Sequence, residues 1–260
     1  MNKIKTCVSI ETKKLLSSKV PLITMLALML VPFIGEFFMF ILKDPSVAQK
    51  LGLISAKAYI MGTADWPSYF SFLAQAIAIG GLIVFGFVTS WIFGREYSDR
   101  TINDLLALPI SRSTIVFSKF IVTFSWCLIL STFVLILGLI AGKIVDIPGW
   151  SFNTLIKGIS VFGICSVLTI LLSPPVALLA SIGRGYLSPL GFVVFTIVLA
   201  QVIAAIGYGH LLPWSIPAII SGIAGDNDVM IKGVSIIIIL LTNIFGIAGT
   251  ILWWRYADQN

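Results

Sequence analysis

The chain has 260 residues, 58% of them hydrophobic and 11% charged, with a mean hydropathy of +1.05 and a formal net charge of +6. A soluble domain carries roughly 25% charged residues, and one core of this size could not hide so much apolar side chain from water, so the composition calls for a lipid solvent. It excludes a soluble enzyme, and no basic soluble face exists for a nucleic acid; basic residues here report membrane orientation instead.

Residues 1–19 read as an amphipathic helix lying along a membrane surface. On a 100° wheel Ile4, Cys7, Val8 and Leu15 share one face and most lysines lie opposite, which suits anionic lipid headgroups. Glu11 interrupts the apolar face; it pairs with a nearby lysine or a partner protein, or the segment is a solvated tether. Six apolar runs follow, at 20–42, 72–94, 115–141, 159–182, 189–206 and 233–254, before a tail at 255–260. Each is close to the roughly 20 residues that cross a 30 Å hydrocarbon layer as a helix. The fold class is therefore an all-α polytopic membrane protein. The first run is too long for a signal peptide and lacks a small-x-small cleavage site.

Proline and glycine mark the ends of the spans. Pro21 opens the first, Ser188-Pro189 opens the fifth and Gly142 closes the third. In the fourth, Ser173-Pro174-Pro175 removes two successive N–H donors, which should kink or break the helix. Gly138 and Gly142 form a GxxxG step, and Ala74, Ala78 and Gly81 line the second span with small side chains; both suit close packing, within the chain or across a dimer.

Alternate loops differ in basic charge. One side holds Lys3, Lys5, Lys13, Lys14, Lys19, Arg95, Arg100, Arg112, Lys119, Arg184 and Arg255; the other holds Lys43, Lys50, Lys57, Lys143, Lys157 and Lys232. All the arginines fall on the first side, which the positive-inside rule makes cytoplasmic, with both termini there. Trp66 and Trp150 near one set of span ends, and Trp91, Trp253, Trp254 and Tyr256 near the other, suit an interfacial aromatic belt.

Four polar residues inside spans are pathway candidates: Glu36, Gln75, Gln201 and Asn243. A carboxylate at the bilayer centre costs about 2.5–3.5 kcal/mol, so Glu36 has a partner or cavity, or lies shallow enough to reach water. The amides either line a path or hydrogen-bond between helices. The 208–232 loop contains an apolar stretch, Trp214 to Ile223, too short to span; it reads as two half-helices dipping into the membrane or as a surface loop.

The stretch from Arg95 to Lys119, REYSDRTINDLLALPISRSTIVFSK, is the densest run of ionisable residues between spans. Thr101 and Asp104 have capping-box spacing, Ile102, Leu105 and Leu106 make a short apolar face, Pro109 stops the helix, and Ser111 or Ser113 can cap the third span. Such a helix either docks a soluble partner through its leucines or rests them on the bilayer.

Glu96, Asp99-Arg100-Thr101, Leu105-Leu106, Pro109-Ile110-Ser111-Arg112 and Lys119, set between the second and third spans, resemble the signature of type-2 ATP-binding-cassette permeases, in particular those exporting peptide antibiotics (bacitracin, lantibiotics) or sodium. The resemblance extends to the whole topology. It implies a prokaryotic plasma-membrane permease working as a homo- or heterodimer with two copies of a separate ATPase, which binds ATP and Mg. It further implies that the helix around Thr101 to Leu108 sits in a groove of the ATPase, making Glu96, Tyr97, Asp99, Arg100, Thr101, Leu105, Leu106 and Arg112 the coupling candidates. In the re-entrant reading, the 208–232 helices close the exit of the pathway.

No motor or catalytic centre is legible in the sequence. GxxxxGK[ST] is absent, so no loop cradles ATP phosphates, and the lone His210 has no metal-binding companion. Cys7, Cys127 and Cys165 are isolated and form neither disulfide framework nor metal motif. An exporter permease is the leading reading; the alternative is an ion-driven secondary transporter or channel, which calls for paired charges or an inverted repeat in the membrane. A membrane enzyme or scaffold would need a reactive constellation or docking domain, neither of which is found.

Overall fold

A computed structural model of the chain describes residues 3–43, 63–107, 109–222 and 233–257. Lys50, Lys57, Lys232, residues 223–232 of the long loop and residues 258–260 of the tail lie outside them. The described residues form α1 (Lys3–Leu16), α2 (Val20–Lys43), α3 (Trp66–Ser98), α4 (Ile102–Leu106), α5 (Arg112–Ile144), α6 (Phe152–Leu171), α7 (Ser173–Ile182), α8 (Leu187–Ala205), a 3-10 turn (Gly209–Leu211), α9 (Ile216–Ile220) and α10 (Gly233–Tyr256). Counting α6 and α7 as one span, six helical segments are long and apolar enough to cross a membrane, with mean hydropathies of 2.1 to 2.5. Large apolar side chains stand exposed around the bundle, among them Phe195, Leu241 and Phe245. Such a surface is stable in hydrocarbon, where every helical backbone group is already paired internally.

The second span, α3, is the axis of the bundle: it packs against α2, α5, α6, α7 and α8 and is the most buried of the six. Its small residues Ala74 and Ala78 are fully covered, which lets backbones approach closely. The glycine pair of the third span is filled from within the chain. Leu73 of α3 presses on Gly138 and the Trp66 ring on Gly142. Gly142 does not end the third span; α5 runs on to Ile144 and closes at Asp146 in the left-handed region, where Ile147 N–H reaches back to Gly142 O at 3.2 Å.

That packing also changes the aromatic belt. Trp66 is 2% exposed, stacked edge-on against Trp150 with centroids 4.6 Å apart, and Trp254 is fully buried. Both fill gaps between helices rather than facing headgroups. Asp65 caps α3, accepting from Ser68 N–H at 2.9 Å and from the Thr63 hydroxyl. Burial alone would raise its carboxyl pKa, but these hydrogen bonds more than offset it and hold the group below its ordinary value.

The fourth span breaks where the prolines stand. The α6 helix ends at Leu171, and α7 begins at Ser173 after Leu172 at φ −88°, ψ 0°. In a continuous helix Leu171 C=O would accept from residue 175, but Pro175 has no N–H. Asn243 of α10 supplies the missing donor, its Nδ2 lying 2.8 Å from Leu171 O. One turn on, Gly246 lets α10 ride directly on the proline backbone; a β-carbon there would lie 2.5 Å from Pro174 C and Pro175 N. Asn243 is thus committed to bracing the break. Asn243→Ala should leave the Leu171 carbonyl orphaned and cost about 1–3 kcal/mol, and Gly246→Ala should force α10 off α7; both should lower the apparent melting temperature of the detergent-solubilised protein, read by tryptophan fluorescence.

Candidate coupling face

The N-terminal face carries α1, the start of α2, the end of α3, α4, the start of α5, the turn between α7 and α8, and the end of α10. Its central feature is a buried ion cluster. Lys119 of α5 is fully buried, and its ammonium uses all three donors: to Glu11 Oε2 at 3.0 Å, to Glu96 Oε1 at 2.8 Å and to Ile92 O at 2.8 Å. Lys14 closes the ring, reaching Glu11 Oε1 at 3.1 Å and Glu96 Oε1 at 3.2 Å. Two carboxylates and two ammoniums make the cluster neutral, which makes burial of the charges tolerable. Within the cluster, Glu96 Oε2 has no hydrogen-bond partner among the described residues.

This arrangement revises the role of α1. The helix packs mainly against α5 through Cys7, Glu11 and Leu15, spaced four residues apart, while Val8 is half-buried and Ile4 is 39% exposed. Glu11 sits at the centre of the buried face rather than spoiling it, because its partner arrives from the third span.

From the cluster the chain turns directly into the 99–111 loop. The α3 helix ends in a Schellman motif: Thr101 N–H reaches Glu96 O at 2.9 Å, Arg100 N–H reaches Tyr97 O at 3.2 Å, and Arg100 takes φ 56°. A non-glycine residue in that region costs roughly 1–2 kcal/mol. Glu96 therefore anchors the loop twice, through its side chain and its carbonyl. Asp99 accepts from Arg95 Nε at 3.1 Å one turn back.

The expected capping box does not form. Thr101 is the residue before α4, but its hydroxyl makes no cap hydrogen bond; at φ −98°, ψ 5° it lacks the extended backbone from which a cap side chain reaches forward. The apolar face of α4 is also turned the other way. Ile102 is buried at 6% exposure and Leu105 packs half-buried against the core, so these two residues hold the helix down. The surface left open comprises Arg100, Thr101, Asn103, Asp104 and Ala107. Leu108 and the side chain of Leu106 lie outside the described residues.

The far end of the loop is clamped to the last span. Ser111 caps α5, its Oγ accepting from Thr114 N–H at 3.2 Å. Arg112 donates to Trp254 O at 3.0 Å and to Arg255 O at 3.5 Å. The Trp254 ring meets Tyr97 edge-on at 6.0 Å and donates its Nε1–H to Ser181 Oγ at 2.9 Å. Tyr97 and Arg112, from the two flanks of the loop, thus meet on one residue of α10, which also grips α7.

Among the pathway candidates, Gln201 lines a cavity of about 450 Å³ between α3, α8 and the Trp214 to Ile219 stretch, whose other walls are mainly apolar. Glu36 is half-buried on α2 and Gln75 half-buried on α3. With Asn243 bracing the helix break, the four do not form one constellation. Glu11, Lys14, Trp254 and Ser181 were not among the sequence-derived site candidates. The available signal was a charge inside an apolar face, Glu11, and another in an apolar run, Lys119.

Residues 7–201 match the family described as "ABC-2 family transporter protein", a stretch that runs from the buried face of α1 into α8. The chain is also similar to the protein named "Bacitracin transport permease protein BCRB" of Bacillus licheniformis, 27% identical over 178 residues that cover 68% of this chain and 85% of that one.

Removing the shared cation should be far worse than removing the peripheral one. Lys119→Met leaves two buried carboxylates facing each other and should cost about 3–5 kcal/mol. Lys14, about a third exposed, should cost about 1 kcal/mol or less on change to Met. Thermal unfolding of the two purified variants measures the contrast, and equal losses would contradict the cluster's geometry.

Proposed function

The chain belongs to the ABC-2 family of transporter proteins, and we propose that it exports cargo across a prokaryotic cell membrane as half of a permease dimer driven by two ATPase subunits. As a member of that family it is a multi-pass transport permease without catalytic activity of its own, and it works with an ABC ATPase carried on a separate subunit. ATP and Mg are bound by that partner, so the energy must enter this chain mechanically.

The carrying observation is the anchoring of the 99–111 loop. One side is locked through Glu96 to Lys119 and α1, and the other through Arg112 to the backbone of α10. A loop held this firmly at both ends can pass a displacement to α3, α5, α7 and α10 together, whereas a flexible connector would absorb it. In this reading Arg100, Thr101, Asn103 and Asp104 touch the ATPase, Asp99 sets the loop's start, and Glu96, Tyr97 and Arg112 transmit. Leu105 supports the loop from within, and Leu106 belongs to the same short helix. Both termini are cytoplasmic, in keeping with the arginines, all of which lie in the N-terminal-side segments. The protein of Bacillus licheniformis is named for bacitracin transport, which makes an amphipathic peptide antibiotic the favoured cargo class, with resistance as the outcome.

The apolar cavity beside Gln201 is the place where such cargo would pass, and the 208–232 loop would close its exit. An ion-driven carrier is disfavoured because the buried charges among the described residues are mutually neutralised on one face rather than spaced along a path.

Charge reversal on the open surface tests the coupling. Arg100→Glu combined with Asp104→Arg should leave membrane insertion and melting temperature unchanged, yet reduce permease-stimulated ATPase turnover in proteoliposomes roughly tenfold, the effect of a misplaced charge pair worth about 1.4 kcal/mol. Unchanged turnover would remove the loop from the coupling role. Cargo movement by the permease alone, without nucleotide, would overturn the ATP-driven reading.

A further inference from the structure

A groove of about 520 Å³ opens on the N-terminal face between the last turns of α1, the end of α3 and the start of α8. Ile10, Lys13, Lys14, Trp91, Arg95 and Tyr186 line it, together with one carboxylate, Asp99, which is paired with Arg95. All three of its cations retain free donors. Lys14 is engaged with Glu11 and Glu96, but Arg95 meets Asp99 through Nε alone, and Lys13 is exposed with no carboxylate partner among the described residues. The Arg95 guanidinium lies over the Trp91 ring, 4.9 Å from its centroid, and the ring and Asp99 together limit where its remaining N–H groups can point. A planar, oriented guanidinium beside a lysine suits the paired oxygens of a phosphate group.

The surroundings decide which phosphate. Ile10 is 49% exposed, Leu16 beside Ser17 is 59% exposed, and Leu187 beside Tyr186 is 86% exposed. Leu16 and Leu187 flank the groove in sequence, while Ile10 lines it; a soluble anion would use the cations and leave Ile10 uncovered, whereas an amphiphile would satisfy both. Trp91 adds a side chain suited to the headgroup depth of a bilayer. We propose that the groove binds the phosphodiester headgroup of an anionic phospholipid from the leaflet on the N-terminal face, with its acyl chains lying along Ile10, Leu16 and Leu187. The site is distinct from the general attraction of a basic helix to a charged surface, because it needs Arg95 of α3 as well as α1. Through Lys14 it adjoins the ion cluster, and through Arg95 and Asp99 it adjoins the start of the loop, so occupancy and loop position bias each other.

Native mass spectrometry of the purified full-length chain tests this directly and does not depend on any ATPase. Phosphatidylglycerol should be retained over phosphatidylcholine at equal concentration. Lys13→Gln with Arg95→Gln should lower that retention roughly tenfold or more. Lys3→Gln with Lys5→Gln, the same charge change at the other end of α1, should leave it unchanged. Lys13→Glu, at an exposed position outside the packed core, should reproduce the loss without touching α3. Equal loss in the two double variants, or equal retention of the two lipids by the unaltered chain, would overturn the site. Glycerol phosphate displacing phosphatidylglycerol at equal concentration would assign the groove to a soluble anion and overturn the lipid proposal.

Discussion

A single ammonium group organises the N-terminal face. Lys119 lies in a helix surrounded by lipid and protein, where a bare charge would cost several kcal/mol, and it is tolerated because Glu11, Glu96 and one backbone carbonyl take all its donors. The consequence is geometric. Three helices distant in sequence must meet at one point, and a slip of any of them exposes an uncompensated charge. The amphipathic N-terminal helix is therefore fastened to the bundle through its Cys7, Glu11 and Leu15 face, and the loop that follows Glu96 inherits a fixed origin.

A second constraint operates deeper in the membrane. Two consecutive prolines deprive the fourth span of donors where no water can replace them, and the last span repairs the damage with Asn243 while fitting Gly246 against the exposed backbone. The half-helix α7 is thereby bound to α10, and the Trp254 to Ser181 hydrogen bond seals the pair at its end. Arg112 then fastens that pair to the loop. Ion cluster and proline repair are thus linked through the two flanks of the loop, while the apolar cavity lies between α3, α8 and the Trp214 to Ile219 stretch.

The proposed coupling face is thus held rigidly by ion pairs and hydrogen bonds, and the cavity proposed for cargo is walled mainly by apolar side chains. The buried charges among the described residues, Glu11, Glu96 and Lys119, are gathered and, with Lys14, neutralised on one face. Elsewhere the spans present hydrocarbon surfaces with isolated polar groups, the half-buried Glu36 among them. This division of polarity suits a protein moved by a partner, and it leaves little in the described residues for an ion gradient to act on.

The sequence alone determined the solvent, the six spans, an interruption at Ser173-Pro174-Pro175, a serine cap at Ser111 or Ser113 and the prominence of the 95–119 segment, because hydropathy, missing donors and caps are properties of neighbouring residues. Only the tertiary structure decided what the polar groups do. Glu11 finds Lys119 across 108 positions and Asn243 finds Leu171 across 72, distances over which periodicity carries no information. The same holds for the short loop helix: its leucine face is visible in the sequence, but whether that face turns outward or inward depends on the packing of α3 and α5. The tertiary packing buried Ile102 and half-buried Leu105, leaving Arg100, Asn103 and Asp104 at the surface.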